Sequence, residues 1–399
     1  MVKRFNFNFT YICQMQRIKF KKMMGLTILF NLFSLTPILY ANDTLDRQET
    51  KNLIRPLQQT PKRTIQFSGY MDVFYATNFR NNLNPENSPY FVNHNRNNQF
   101  NVNLAMLKAE YNSNSTRVVL AVQGGTYAFD NYTTEPDYLR ILNQAFVGVK
   151  LHKKLWVDAG IFDSYIGMES AVNTENLTYS RSLIADNSPY YFTGLKLNYL
   201  QSNRLKLKLI VSNGWQRISP KDNRGIPAVG TALTYNSIKG NEFNWSTYLG
   251  ENNDSVVAFR PPVVVFFNNF YHKWQLSEKW KLWSGMDVGV TDLFFSRLAR
   301  QRPYWFGGAM ILQYQWNEKW HTALRAEHYN DPNGTMTQRI NGQRLQASGF
   351  SLNQDYTIEE AKIRLEVKYL TNPNPVFRTE NSFSNNSLML MAGIVMGIK

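Results

Sequence analysis

From residue 65 the sequence alternates with a period of two. Ile65, Phe67, Gly69, Met71, Val73 and Tyr75 fall on one side, against Gln66, Ser68, Tyr70 and Asp72 on the other. Successive side chains of a β-strand point to opposite faces, so this stretch meets an apolar phase on one face and water on the other. The pattern recurs to the end of the chain. It predicts strands near 65–79, 99–111, 116–127, 142–151, 155–163, 190–200, 204–213, 227–236, 241–250, 263–276, 279–292, 304–315, 319–330, 344–353, 361–370 and 387–398. The fold class that follows is all-β: a transmembrane antiparallel β-barrel of about 16 strands over residues 64–399.

The connections sort by length. Those after the odd strands are long, at 81–98, 129–141, 164–189, 214–226, 251–262, 293–303, 331–343 and 371–386. Most of those after the even strands are a few residues, such as His152-Lys153-Lys154 or Ser277-Glu278. A membrane barrel with short periplasmic turns and long extracellular loops requires this sorting, and a soluble sandwich does not. Every proline outside the leader and linker falls in a long loop or at a strand end, as its missing N–H demands. Trp274 and Trp280 flank one short turn, Trp316 and Trp320 flank another, and Trp156 follows a third. These five predict an aromatic girdle at the periplasmic rim.

Charged residues make up only 18% of the chain, and the repeated apolar runs of about 20 residues that a helical membrane protein needs are absent. The one long apolar run, Met23 to Ala41, follows Lys19, Lys21 and Lys22 and reads as a secretory signal peptide, 1–41. A polar, flexible periplasmic segment, 42–63, is expected after it. Cys13 precedes that run, so the mature chain carries no thiol, which excludes disulfides, cysteine-based zinc sites and cysteine nucleophiles. Removing the leader takes away Lys3, Arg4, Arg17, Lys19, Lys21 and Lys22 and no acidic residue, and leaves a formal charge of about +9. The basic residues are scattered and no nucleic-acid motif is present, so nucleic acid is not an expected partner.

Several segments resemble the OmpL-like β-barrel porins of Gram-negative bacteria. They are Val157-Asp158-Ala159-Gly160-Ile161-Phe162, Ile166-Gly167-Met168-Glu169, Tyr179-Ser180-Arg181-Ser182-Leu183, Ser212-Asn213-Gly214-Trp215-Gln216 with Lys221-Asp222-Asn223, and Leu324-Arg325-Ala326-Glu327-His328-Tyr329-Asn330-Asp331. The resemblance implies an outer-membrane channel. Its expected partners are outer-membrane lipid and small polar solutes or ions, with a homotrimer as one admissible assembly and no cofactor. One departure is the C-terminus, Val395-Met396-Gly397-Ile398-Lys399, where such barrels commonly end in an aromatic residue.

The alternation also assigns faces. Ile363, Leu365, Val367 and Tyr369 face lipid, which turns Lys362, Arg364, Glu366 and Lys368 inward. The same rule turns Lys206, Lys208, Arg325 and Glu327 inward, since a charge facing acyl chains near the midplane costs about 2–4 kcal/mol for Lys or Arg. These eight are the expected pore-lining residues that set selectivity. The longest loop, 164–189, is the candidate constriction, with Glu169, Glu175, Arg181 and Asp186 as its charged members. If it folds inward, acidic loop residues face basic wall residues across the narrowest water path; an outward surface loop is the alternative.

His94, His152, His272, His321 and His328 are scattered and no nucleophile and base run appears, so no enzymatic role is expected. Asp331-Pro332-Asn333-Gly334 resembles the opening of a calcium loop but lacks the later acidic ligands, and a tight turn is the better reading. The expected function is passive diffusion of small polar solutes with a modest anion bias. The competing class is a surface binding or adhesion protein whose barrel is plugged.

Overall fold

In the computed structural model of the chain, residues 63–80, 90, 92–219, 227–252, 263–291, 302–337 and 339–398 are described. The expected leader, 1–41, and nearly all of the expected segment 42–63 lie outside the described residues.

Alternation becomes structure strand by strand: β1 (Thr64–Asn78), β2 (Gln99–Asn112), β3 (Thr116–Gly124), β4 (Leu142–His152), β5 (Leu155–Asp163), β6 (Tyr191–Leu200), β7 (Leu205–Ser212) and β8 (Ala228–Asn236). They continue as β9 (Glu242–Asn252), β10 (Val263–Gln275), β11 (Trp280–Thr291), β12 (Tyr304–Gln315), β13 (Trp320–Asn330), β14 (Gln346–Ile358) and β15 (Ala361–Thr371). Two short strands, β16 (Phe377–Arg378) and β17 (Phe383–Ser384), pair inside the last long loop before β18 (Asn386–Ile398). The sixteen long strands close an antiparallel barrel in which each pairs with its neighbour in the chain and β18 returns to β1. Closure satisfies every strand edge, the one way a sheet can stand in hydrocarbon. No helix among the described residues is long and apolar enough to cross a membrane.

The two faces separate as the alternation requires. Phe67, Leu324 and Ile363 are 75%, 56% and 44% exposed on the outside, whereas Arg325, Arg364, Glu366 and Lys368 on the inside are fully or almost fully buried. Most strand ends fall within a few residues of the sequence reading. The largest difference is β14, expected at 344–353 and found at Gln346–Ile358. Its second half, Asn353-Gln354-Asp355-Tyr356-Thr357, is polar on both faces, so alternation of hydrophobicity fades although the ladder to β15 continues to Ile358↔Ala361.

The aromatic girdle forms from four of the five expected tryptophans. Trp280 packs on Tyr314, Trp316 on the same Tyr314, Trp320 on Tyr356, and Trp274 stacks on His272. Trp156 is the exception. It shares a face with Asp158 and Lys196 and carries the Arg117 guanidinium 4.7 Å above its ring, so it lines the inner rim.

Candidate functional site

The loop at residues 164–189 lies inside the barrel, and its attachment to the wall defines the lumen. At its start, the Tyr165 hydroxyl donates to the Thr247 carbonyl of β9 (2.8 Å) and the Tyr165 carbonyl accepts from Ser246 Oγ (2.9 Å). The Gly167 amide donates to Asn269 Oδ1 on β10 (3.1 Å). A turn later the Asn173 amide reaches the Tyr70 hydroxyl of β1 (2.8 Å). The Tyr179 amide then donates to Asn353 Oδ1 of β14 (3.0 Å) and its hydroxyl to Asp72 of β1 (2.8 Å). The loop thus spans the barrel from β9 and β10 to β14, β15 and β1.

Strand glycines make room for it. A Cβ at Gly393 on β18 would sit 1.8 Å from the Tyr179 hydroxyl oxygen, and one at Gly230 on β8 would sit 1.8 Å from that of Tyr165. Any other residue at either position would push a tyrosine off the wall.

The heart of the attachment is charged. Glu366 accepts from the Ser180 amide (2.6 Å) and the Ser180 hydroxyl (2.7 Å), and Arg325 Nη2 donates to the same carboxylate at 2.9 Å. Arg325 also donates to Thr178 Oγ1 (2.8 Å), the Ser180 carbonyl (2.5 Å) and Ser351 Oγ (2.9 Å). Glu327 accepts the Leu183 amide at 2.6 Å and lies 3.1 Å from Lys368 Nζ, which donates to the Arg181 carbonyl (3.1 Å). Arg364 holds Asp355 with both nitrogens of its fork at 2.9 Å and donates to the Asn173 and Asn176 carbonyls (2.7 and 3.2 Å). Lys362 donates to the Thr174 carbonyl at 2.9 Å. Removing charges from water is costly, and this cluster offsets the cost with paired carboxylates and backbone acceptors at nearly every donor.

The eight wall residues therefore divide. All eight lie on the inward face, but Arg325, Glu327, Arg364, Glu366 and Lys368 are bound to the loop. Lys362 is half-buried and shared with it. Lys206 is exposed and Lys208 half-buried on β7, and neither has an ion pair or hydrogen bond among the described residues. The four loop residues divide too. Glu169 accepts from the Ser182 amide and hydroxyl and so steadies the short helix Leu183–Asp186. Arg181 donates to the Ala185 carbonyl (3.1 Å) with its guanidinium 4.3 Å over the Tyr190 ring. Asp186 accepts from Asn93 (2.9 Å) and Tyr190 (3.1 Å), while Glu175 is exposed. Burial pushes the carboxyls of Glu169 and Asp186 above the ordinary carboxylate range, against the pull of Arg325 on the first and Arg181 on the second.

Towards β2–β7 the loop makes ring and apolar contacts, Tyr165 on Phe192 at 4.9 Å and Ala171 and Val172 in one cluster with Met106, and no polar attachment. Among the described residues no hydrogen bond joins residues 164–189 to β2–β7. A cavity of about 270 Å³ separates the loop from the wall, with Glu169, Glu175 and Arg181 on the loop side and Met106, Gln144 and Lys273 on the wall side. Towards the short-turn end the wall is basic. Arg117 grips Asp158 with two bonds of 2.8 and 2.7 Å, Lys196 lies 3.7 Å from the same carboxylate, and Lys108 pairs with Glu110 at 2.8 Å. Lys273 lies 4.1 Å over the Trp283 ring, and Lys281 faces inward beside it in the ladder of β10 and β11. Sequence reasoning left out Lys108, Arg117, Lys196, Lys273 and Lys281, although the alternation that turned Lys206 inward also turns these.

Two further side chains find a structural use. His94 Nε2 meets Asp72 Oδ2 at 2.9 Å beneath the Tyr179 ring, which fastens the first long loop to the same carboxylate as the constriction loop. Asp331 accepts the amides of Thr335, Met336 and Thr337 (2.8–2.9 Å) and closes a tight turn on itself.

A closed sixteen-strand barrel with short turns at one end, long loops at the other and one loop folded across its interior is the architecture of a porin. The chain matches the family described as "Putative beta-barrel porin-2, OmpL-like" over residues 64–397, and it belongs to that family. No curated protein matches the sequence. Among solved structures it is similar to the outer membrane channel DcaP of Acinetobacter baumannii (TM-score 0.57, 9% identity, 84% of this chain and 97% of that one). It is also similar to Salmonella typhi OmpF in complex with daunomycin (0.56, 11%, 84% and 98%) and to the anion-selective porin of Comamonas acidovorans (0.55, 6%, 84% and 100%). At these identities the likeness is one of fold.

Proposed function

We propose that the protein is a passive diffusion channel for small polar solutes and ions, set in the outer membrane with its long loops at the cell surface and its short turns in the periplasm. The observation that carries this reading is the cavity between loop and wall, where Gln144, Lys273, Glu175 and Arg181 face a gap.

Selectivity, on this reading, rests on the free wall. Lys206 and Lys208, with Lys196 on the adjacent β6 and Lys273 and Lys281 on β10 and β11, supply fixed positive charge along the water path. Fixed charge in a narrow aqueous passage raises the local concentration of counter-ions, here anions. Glu169 and Glu175 on the loop oppose it, so the bias is modest. It fades as added salt shortens the Debye length from about 30 Å at 0.01 M to about 10 Å at 0.1 M.

Planar bilayers test the reading. Reconstituted protein is expected to give stable conductance steps and a reversal potential of anionic sign across a potassium chloride gradient. Lys206→Glu combined with Lys208→Glu moves that potential towards cations. A sealed bilayer at high protein loading favours a plugged barrel that works through its surface loops. A double variant with unchanged potential removes β7 from the selectivity argument.

A further inference from the structure

The cavity between the constriction loop and the wall of β2, β4 and β5 carries charged side chains of both signs that do not pair with one another. Arg181 is 5% exposed and forms no ion pair among the described residues. Its Nη2 donates to the Ala185 carbonyl at 3.1 Å, while its Nε and Nη1 have no hydrogen-bond partner. The side chain is held where it stands. The Tyr190 ring lies 4.3 Å from the guanidinium, and Lys368 fixes the backbone through the Arg181 carbonyl. Asp163, the last residue of β5, and Glu175 on the loop border the same cavity, and both are exposed. Asp163 takes one hydrogen bond, from Gln144 at 2.5 Å, and the Glu175 carboxylate takes none; neither forms an ion pair among the described residues.

The other two charges on the cavity are already engaged. Glu169 is taken up by the Ser182 amide and hydroxyl, and the Lys273 ammonium rests over the Trp283 ring. A buried charge without a counter-charge is costly, yet here a cation and two carboxylates border one space without meeting. Such an arrangement is complementary to a molecule that carries both charges. Tyr127, on the same cavity, lies within electrostatic reach of both Arg181 and Asp163, so the two poles are close. Leu104 and Met106 of β2 form one apolar cluster with Ala171 and Val172 of the loop and add an apolar side to the cavity. At about 270 Å³ the space falls just below the range of about 300–1,000 Å³ that holds drug-sized ligands, which suits a smaller solute.

We propose that this cavity is a binding site for a zwitterionic solute of amino-acid size with an apolar side chain. The solute's carboxylate accepts from Arg181, its ammonium donates to the carboxylates of Asp163 and Glu175, and its side chain lies against the Leu104 and Met106 side of the cavity. Hydrogen bonds between charged groups are the stronger kind, so the two poles together select for a solute that carries both charges. The inference rests on the diffusion-channel reading for the solute's route to the cavity, and not for its retention there.

Isothermal titration calorimetry on the protein in detergent tests this with three probes: leucine, isocaproate, which lacks the ammonium, and isoamylamine, which lacks the carboxylate. Leucine is expected to bind saturably at one site, and each of the others about tenfold or more weakly. Arg181→Gln and Asp163→Asn are each expected to weaken leucine by a similar factor. Arg181→Gln leaves isoamylamine binding as it was, and Asp163→Asn leaves that of isocaproate, a split that general damage to the loop would not give. Asp163 makes no bond to the loop, so its variant stands even if Arg181→Gln fails to fold. No saturable binding of leucine, isocaproate binding as tightly as leucine, or unchanged leucine affinity in Asp163→Asn overturns the proposal. A barrel that conducts but binds no leucine overturns this site and leaves the channel standing, whereas one that binds leucine and seals a bilayer overturns only the channel.

Discussion

The wall of β13–β15 with β1 and the wall of β2–β7 have the same strand architecture and the same inward alternation, yet they use charge in opposite ways. On the first, Arg325, Arg364, Glu366 and Lys368 are sealed from water by a loop that meets nearly every donor and acceptor. On the second, Lys206 stands in water and Lys208 half in it, with no partner among the described residues. An inward charge is therefore not by itself a selectivity element. Whether it acts on ions depends on what crosses the lumen in front of it.

Breaking the attached wall produces the largest effect. Arg325→Ala leaves Glu366 without its ion pair in a dry site, and removal of one partner of a buried pair typically costs about 3–5 kcal/mol. The variant is expected to lower the urea midpoint of the barrel and to raise single-channel conductance, because the loop loses its hold. A variant with normal stability and normal conductance would show that the attachment is not what shapes the lumen.

A smaller effect comes from crowding the loop without touching charge. Gly393→Ala places a methyl group against the Tyr179 hydroxyl and the Val73 carbonyl, and overpacking of this kind costs about 1–3 kcal/mol. Conductance should become noisier as Tyr179 leaves Asp72, and Gly393→Ala combined with Tyr179→Phe should recover part of the loss. Equal effects of the single and double variants would refute the steric account.

The smallest effect is a pH dependence. Glu169 and Asp186 have raised pKa values in the folded loop, so their protonated forms are favoured there. Their contribution to loop packing is complete below the ordinary carboxylate range and is lost as pH rises through the raised values. Acidification through that window also removes negative charge beside the passage, so anion preference should grow as pH falls. Reversal potentials followed across the acidic range, with and without Glu169→Gln, measure this. A variant as pH-dependent as the unaltered protein would place the titration elsewhere.

The barrel was legible because its cause is local. Lys362-Ile363-Arg364-Leu365-Glu366-Val367-Lys368 declares both faces within seven residues, and the face of every charge named from it agrees with the structure. The second half of β14 was lost where Gln354 faces outward and Asp355 inward, leaving no contrast to read. Loop 164–189 was named as the candidate constriction, but the wall residues that receive it were beyond local reading. Thr178, Ser180 and Asn173 are small polar residues of the kind any surface loop carries, and their partners lie up to 191 positions away in the chain. Trp156 failed for a related reason: its nearness to a short turn was visible, but the parity that pairs it with Asp158 and turns it inward was not applied to it.

That separation along the chain also sets an order of events. The constriction loop lies between β5 and β6 in the chain, far from β13, β14 and β15, whose Arg325, Asn353 and Glu366 hold it. Until those strands pair, the loop's berths are limited to β1, β9 and β10, through Tyr70, Asp72, Ser246, Thr247 and Asn269. Docking of the loop and sealing of the seam between β1 and β18 then draw on the same late strands, since Asp72 on one side of the seam and Gly393 on the other both receive Tyr179. The step that completes the cylinder is thus coupled to the step that narrows it. A barrel halted before its final strands would remain wide as well as unfinished.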